Sequence, residues 1–313
     1  MSFDVYNLEF RDWCNEITVG GYRFSRAADY RTQIQGLQHL VTCHSEFSIK
    51  ATTGTHCITA TVEPPDPEPA AVIPWSDPHA TALDDITLLL SIFTTRHVFA
   101  WRGNSSEDKL RVIVADSREF PWGGVTETSI PYMESSTWNP DEYPPPGDVG
   151  LEVHLNQIWQ LMNTEDWRQK YHRGFYLILY RSAIKHRTIE SAFTQCWTIW
   201  EHLFSILKDS WMTTNTIRQI KPAEKIAFLL VTYAVRENLQ EKEKKRLESL
   251  ANIRNRLLHF GQFPEERSVL DDAVLFVRMT EMIVAKTLEL SPSLIFNTLD
   301  KLEEFITNPP KKS

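Results

Sequence analysis

The chain has 313 residues, 42% of them hydrophobic and 24% charged, the balance of a globular protein with room for two domains. No apolar run is long enough to cross a bilayer, and the four cysteines (Cys14, Cys43, Cys57, Cys196) have the spacing neither of a metal site nor of a disulfide framework. The net charge of −8 speaks against indiscriminate nucleic-acid binding, but it is unevenly shared: residues 1–149 hold 10 Lys+Arg and 21 Asp+Glu (10 − 21 = −11), residues 150–313 hold 23 and 20 (23 − 20 = +3).

The first half reads as strand-rich. Phe3 to Phe10 alternates weakly, and Glu16 to Phe24 reads as strand, Gly20-Gly21 turn, strand. The β-branched runs 46–52 and 56–62 flank Gly54 and predict a second hairpin. Pro64, Pro65, Pro67, Pro69 and Pro74 mark an extended surface segment. From Asp77 to Thr94 the period changes: Leu83, Ile86, Leu89, Leu90 and Phe93 give a helix with a broad apolar face. Strands return at 97–101 and 110–115. The histidines of this half are scattered, and its glycine pairs lack the strand–loop–helix setting of a phosphate cradle. The prolines of Asn139 to Asp148 make a stiff linker, so the predicted domains are 1–140 and 150–313.

The second half reads as helical throughout. Leu151 to Met162 is one amphipathic helix, and Trp167 to Leu179 a second with Gly174 inside it. Ile189, Phe193, Trp197, Trp200 and Phe204 run at steps of three and four along a third. Pro222 opens a fourth at its first position. Glu241 to Phe260 follows, then Asp271 to Leu290 and a last helix near 294–305. Short connections favour antiparallel neighbours, hence an up-and-down bundle. The predicted fold class is α+β multidomain: a β-rich domain with an inserted helix, then an all-α bundle.

The chemistry concentrates in Arg254-Asn255-Arg256-Leu257-Leu258-His259-Phe260-Gly261. Gly261 is the expected stop and Pro264 prevents resumption. Asn255 and His259 are four apart and share a face. Arg254 is offset from His259 by about 140°, but its long stem allows the guanidinium to swing back. The helix dipole favours positive charge at this end. Such an arrangement suits an anion-binding arginine beside a proton-transferring imidazole; a solvated helix end is the bland alternative. Glu201, among Trp197, Trp200 and Phe204, is a carboxylate that needs a partner.

Arg-Asn-x-x-x-His at a helix end resembles the HEPN superfamily. The aromatic-rich run from Ile189 to Phe204 and the run from Lys221 to Phe228 are similar to the preceding helices of its Apea-like group. The resemblance covers residues 150–290 in outline. A strand-rich region ahead of such a bundle also resembles that group by arrangement. The resemblance implies a metal-independent endoribonuclease with no cofactor, of the kind used in antiphage or stress defence. The RNA 2′-OH attacks the adjacent phosphorus and the 5′-oxygen leaves. On that reading His259 transfers the proton, Arg254 holds the phosphate oxygens, and Asn255 orients His259 or the phosphate. Glu201 would face the motif helix near Arg254 or His259, and Arg256, on a different face, would grip neighbouring phosphates or nothing. HEPN-like nucleases pair two motifs across one cleft, which implies a homodimer around two His259 rings. The β-rich domain would take an unknown trigger ligand. The competing expectation is a non-catalytic nucleotide-binding or protein-interaction module. The N-terminus shows no basic patch leading into an apolar core, so the expected location is cytoplasmic, with reduced thiols.

Overall fold

The computed structural model describes residues 2–8, 10, 14–33, 57–94, 98–102, 150–185, 189–208, 210, 212–233, 235, 238–261 and 267–289. They gather into two compact units, Met1–Arg168 and Gln169–Ser313.

The first unit is built on an antiparallel sheet. Its strands are β1 (Phe3–Tyr6), β2 (Glu16–Val19), β3 (Tyr22–Arg26), β4 (Ile58–Glu63) and β5 (Phe99–Trp101), in the order β2-β3-β4-β1-β5. The Gly20-Gly21 turn is as expected: both glycines have positive φ (58° and 85°), and Val19 opposes Tyr22 across it. The expected hairpin of 46–52 with 56–62 is corrected. The first run lies outside the described residues, and both edges of β4 are already used, by β3 and by β1. One strand edge forms one ladder, so no edge of β4 is left for a hairpin partner. The run 110–115 also lies outside the described residues.

Helix α1 (Ala82–Thr94) buries Leu83, Ile86, Leu89 and Leu90, as its period requires. The proline segment before it is not simply a surface strap. Val72 and Ile73 are buried, and the carboxylate of Asp85, itself fully buried, fixes the segment. Asp85 accepts hydrogen bonds from Val72 N (2.6 Å), Ile73 N (3.3 Å) and Trp75 Nε1 (2.8 Å). Burial outweighs these three donors and pushes the carboxyl up to about 6.

Helix α2 (Gly150–Met162) corrects the predicted domain division. The linker 139–148 lies outside the described residues, and α2 belongs to the strand-rich unit rather than to the bundle. The reason is local. Asn156 donates to Thr18 O (2.6 Å) and accepts from Gly20 N (3.0 Å), tying α2 to the β2–β3 turn. Trp159 lies over Gly20 so closely that a Cβ there would come within 2.7 Å of its Nε1.

The break between units falls in the short helix α3 (Glu165–Lys170). The predicted helix through Gly174 is split. His172, Arg173 and Gly174 all have positive φ (47°, 58° and 74°), so the chain turns there before α4 (Phe175–Lys185). Then come α5 (Ile189–Leu207), α6 (Thr214–Gln219), α7 (Pro222–Thr232), α8 (Glu241–Phe260) and α9 (Arg267–Thr287). Helix α6 was not foreseen; Thr213 caps it by accepting from Thr216 N. The run 294–305 lies outside the described residues.

Helix α5 is the hub, packed by α4, α7, α8 and α9. Phe276 of α9 lies against Phe193, Trp197 and Trp200 of α5, with ring centroids 5.1–5.7 Å apart. The indole of Trp200, 1% exposed, donates to Thr280 Oγ1 at 2.8 Å, so its one polar atom is satisfied inside the core. Tyr176 of α4 donates to Thr287 Oγ1. Buried aromatics of this size contribute about 2–3 kcal/mol each. Cys196, sealed in the same core, has its thiol pushed up to about 12 by burial and is inert as a nucleophile.

Candidate functional site

Helix α8 starts on a capping box: Gln240 N donates to Glu243 Oε2 at 2.7 Å. Leu247, Leu250, Ala251 and Ile253 are buried and hold the helix to the bundle. Arg246 Nε donates to Asp272 Oδ1 at 2.6 Å and joins α8 to α9. Ile253 is the last buried residue of α8, and the following two turns have none. Gly261 ends the helix as expected, with φ 63° and its N–H on Leu257 O (3.0 Å).

The motif therefore occupies a helix end free of the core. Asn252, Asn255, Arg256 and His259, at positions i, i+3, i+4 and i+7, are all exposed and form one stripe. Arg254 is half-buried on the neighbouring side. Its Nη1 donates to Asn255 Oδ1 at 3.0 Å, and its buried Nε has no partner. So Asn255, which shares a face with His259, engages the guanidinium of Arg254. His259 lies edge-on to Phe260, ring centroids 6.4 Å apart. Arg256 is exposed and makes no hydrogen bond or ion pair among the described residues. From Ser249 to Gly261 there is no acidic residue.

Glu201 is not part of this cluster. It pairs with Lys225 of α7, Nζ to Oε2 2.6 Å, and no hydrogen bond or ion pair joins it to Arg254 or His259. The register explains the pairing. Glu201 meets Lys225 and Phe204 meets Phe228, both 24 residues on (225 − 201 and 228 − 204), so α5 and α7 run in the same sense here, not antiparallel as an up-and-down bundle would have them. Lys225, 17% exposed with its Nζ 5.5 Å from the Phe204 ring centroid, is a close and partly desolvated counter-ion. The carboxylate expected to need a partner has one, on another helix.

Sequence reasoning passed over two features. Phe260 is 71% exposed, and Leu258, which helical spacing puts on the apolar stripe with Leu247 and Leu250, is 51% exposed instead of joining it. Their place after the last buried position is the signal that would have marked them. The other is an imidazole pair. His172 and His202 meet edge-to-face at 6.0 Å, and His202 Nε2 is buried without a partner. Burial, with His172 nearby, pushes His202 below the usual imidazole value. Among the described residues no three of His, Cys, Asp and Glu gather as a metal site, and no helix is long and apolar enough to cross a membrane.

No protein-family model matches the chain, and neither a curated protein nor a solved structure is found to be similar to it. What the geometry defines is an antiparallel strand-rich unit followed by a helical one, with an exposed helix end on the second that carries Arg254, Arg256 and His259.

Proposed function

We propose that the chain is a metal-independent endoribonuclease of HEPN type, acting in defence or stress response, with its site at the end of α8. The observation that supports this reading most is the pairing of exposure with charge. Arg254 is bound to Asn255, Asn255 shares a face with His259, and the stretch from Ser249 to Gly261 holds no acidic residue. A phosphodiester brings the negative charge this end lacks. In the proposed reaction the guanidinium of Arg254 stabilises the charge developing on the phosphorane oxygens. An imidazole transfers protons near neutral pH, and His259 takes that role. Asn255 positions Arg254, a role different from the orientation of His259 that the resemblance suggested. Glu201 is left out of the chemistry and assigned to the bundle through Lys225.

A single imidazole does not readily serve as acid and base at once, so the reading includes a homodimer in which two α8 ends line one cleft. The helical unit would then be an HEPN-like bundle, and the strand-rich unit a regulatory domain for a trigger ligand. The exposure of Leu258 and Phe260 supports a second reading, a non-catalytic interaction module that docks a protein on the same helix end. Incubating the purified protein with total RNA in EDTA, beside the Arg254→Ala and His259→Ala proteins, separates the two. Cleavage by the parent alone supports the nuclease. Cleavage that stops on chelation, or that persists equally in both variants, removes it.

A further inference from the structure

A large aromatic ring left in water forgoes about 2–3 kcal/mol of burial. Phe260 is 71% exposed, the highest value for a large apolar side chain among the described residues. It sits on the last residue of α8, immediately after His259. Four residues back is Arg256, exposed and unpaired among the described residues, and it shares its stripe with Asn255 and His259. Beyond Phe260 the chain leaves the helix axis at Gly261, and a Cβ built there would meet nothing within 4 Å. The exposed ring thus stands beside the imidazole of His259 at the end of the helix, one turn on from Arg256.

The charge of these neighbours selects the occupant. Arg254, Arg256 and His259 give this end positive charge, and the nearest acidic residue before them on the helix is Glu248. An apolar protein surface would leave the same cations uncompensated. A nucleotide supplies both complements: a phosphate for the cations and a flat base for the ring.

Resting on the nuclease reading above, we propose that Phe260 is the base-stacking platform of the site and that it commits the enzyme to unpaired RNA. A base inside a duplex has both faces covered by its neighbours, so only a single strand can offer one to the ring. Stacking positions the strand with one phosphate toward Arg254 and His259. Phe260 is therefore a positioning and specificity residue, not one that acts on the reacting atoms.

The test uses the full-length protein and a short mixed-sequence oligonucleotide, 2′-deoxy throughout so that binding is read without cleavage. With Phe260→Trp, the fluorescence of the added indole, taken as the difference from the parent, is quenched by the single strand and not by the same sequence in a duplex. Phe260→Ala weakens single-strand binding about tenfold, and Phe260→Tyr keeps it. On an RNA substrate Phe260→Ala raises KM by a similar factor with kcat changed little. Light scattering shows the same particle mass for all three variants. Absence of quenching, equal quenching by the duplex, or a loss of binding that accompanies a change of particle mass overturns the proposal. The nuclease reading fails separately, if His259→Ala cuts RNA as well as the parent does; the indole signal decides the stacking claim in either case.

Discussion

Two polar centres, one in each unit, are built in opposite ways. Asp85 lies at full burial with three donors converging on its two oxygens. Arg254, half-buried, and Arg256 and His259, both exposed, have one hydrogen bond among the described residues, from Arg254 to Asn255. A carboxylate saturated from every side holds chain segments together and has nothing left for a ligand. Cations with open valence contribute little to folding and are available to a partner. Removing the first should cost stability and spare the chemistry. Removing the second should do the reverse.

The largest expected effect follows from the second centre. His259→Ala is expected to lower RNA cleavage by about 10²- to 10⁴-fold, read as initial rates on a fluorescent RNA. Its urea midpoint stays that of the parent, because the residue is exposed. Next comes Asp85→Ala, which strands three buried donors and should destabilise the first unit by about 4 kcal/mol in urea unfolding followed by circular dichroism.

The same carboxyl sets a pH dependence. Its folded value, about 6, is raised above the ordinary 3.8, so the native state favours the protonated form. The stability it contributes is complete below about pH 4 and is lost as pH rises through about 6, roughly 3 kcal/mol in all. Urea unfolding of the parent against Asp85→Asn at pH 4, 5, 6 and 7 isolates this component, and a flat difference between them would contradict it.

Two smaller effects sharpen the contrast. Gly20→Ala places a Cβ at a left-handed position beneath Trp159 and should cost about 2 kcal/mol in thermal unfolding. Glu201→Gln should cost under about 1 kcal/mol, since Glu201 is a third exposed, and should leave cleavage within about twofold of the parent. A large loss of cleavage from Glu201→Gln would return that residue to the site.

Local rules read the molecule well wherever the deciding contact lies within a few residues. The Gly20-Gly21 turn, the apolar face of α1, Pro222 at the start of α7 and Gly261 at the end of α8 each follow from a short window. Where the partner is distant, the pattern misleads. The β-branched run 58–62 looks like half of a hairpin, yet its ladder partners are β1 and β3, brought from far along the chain. Helix α2 follows a proline-rich stretch and suggests the start of a new domain, but Asn156 ties it back to a turn 136 residues earlier. Period alone ran one helix through Gly174, where three successive left-handed residues break it. In the candidate site, the spacing of Arg254, Asn255 and His259 was legible, while the pairing of Glu201 with Lys225 depends on how two helices lie side by side.

The most direct test of the α8 end is the chemistry of the cut. An RNA substrate is incubated with the parent protein in EDTA, and beside it the same RNA with a single 2′-deoxy nucleotide at a mapped cleavage position. The account predicts fragments ending in a 2′,3′-cyclic phosphate, no cut at the deoxy position, and no fragments from His259→Ala. Cleavage at the deoxy position, or fragments from His259→Ala at the parent's rate, would contradict it.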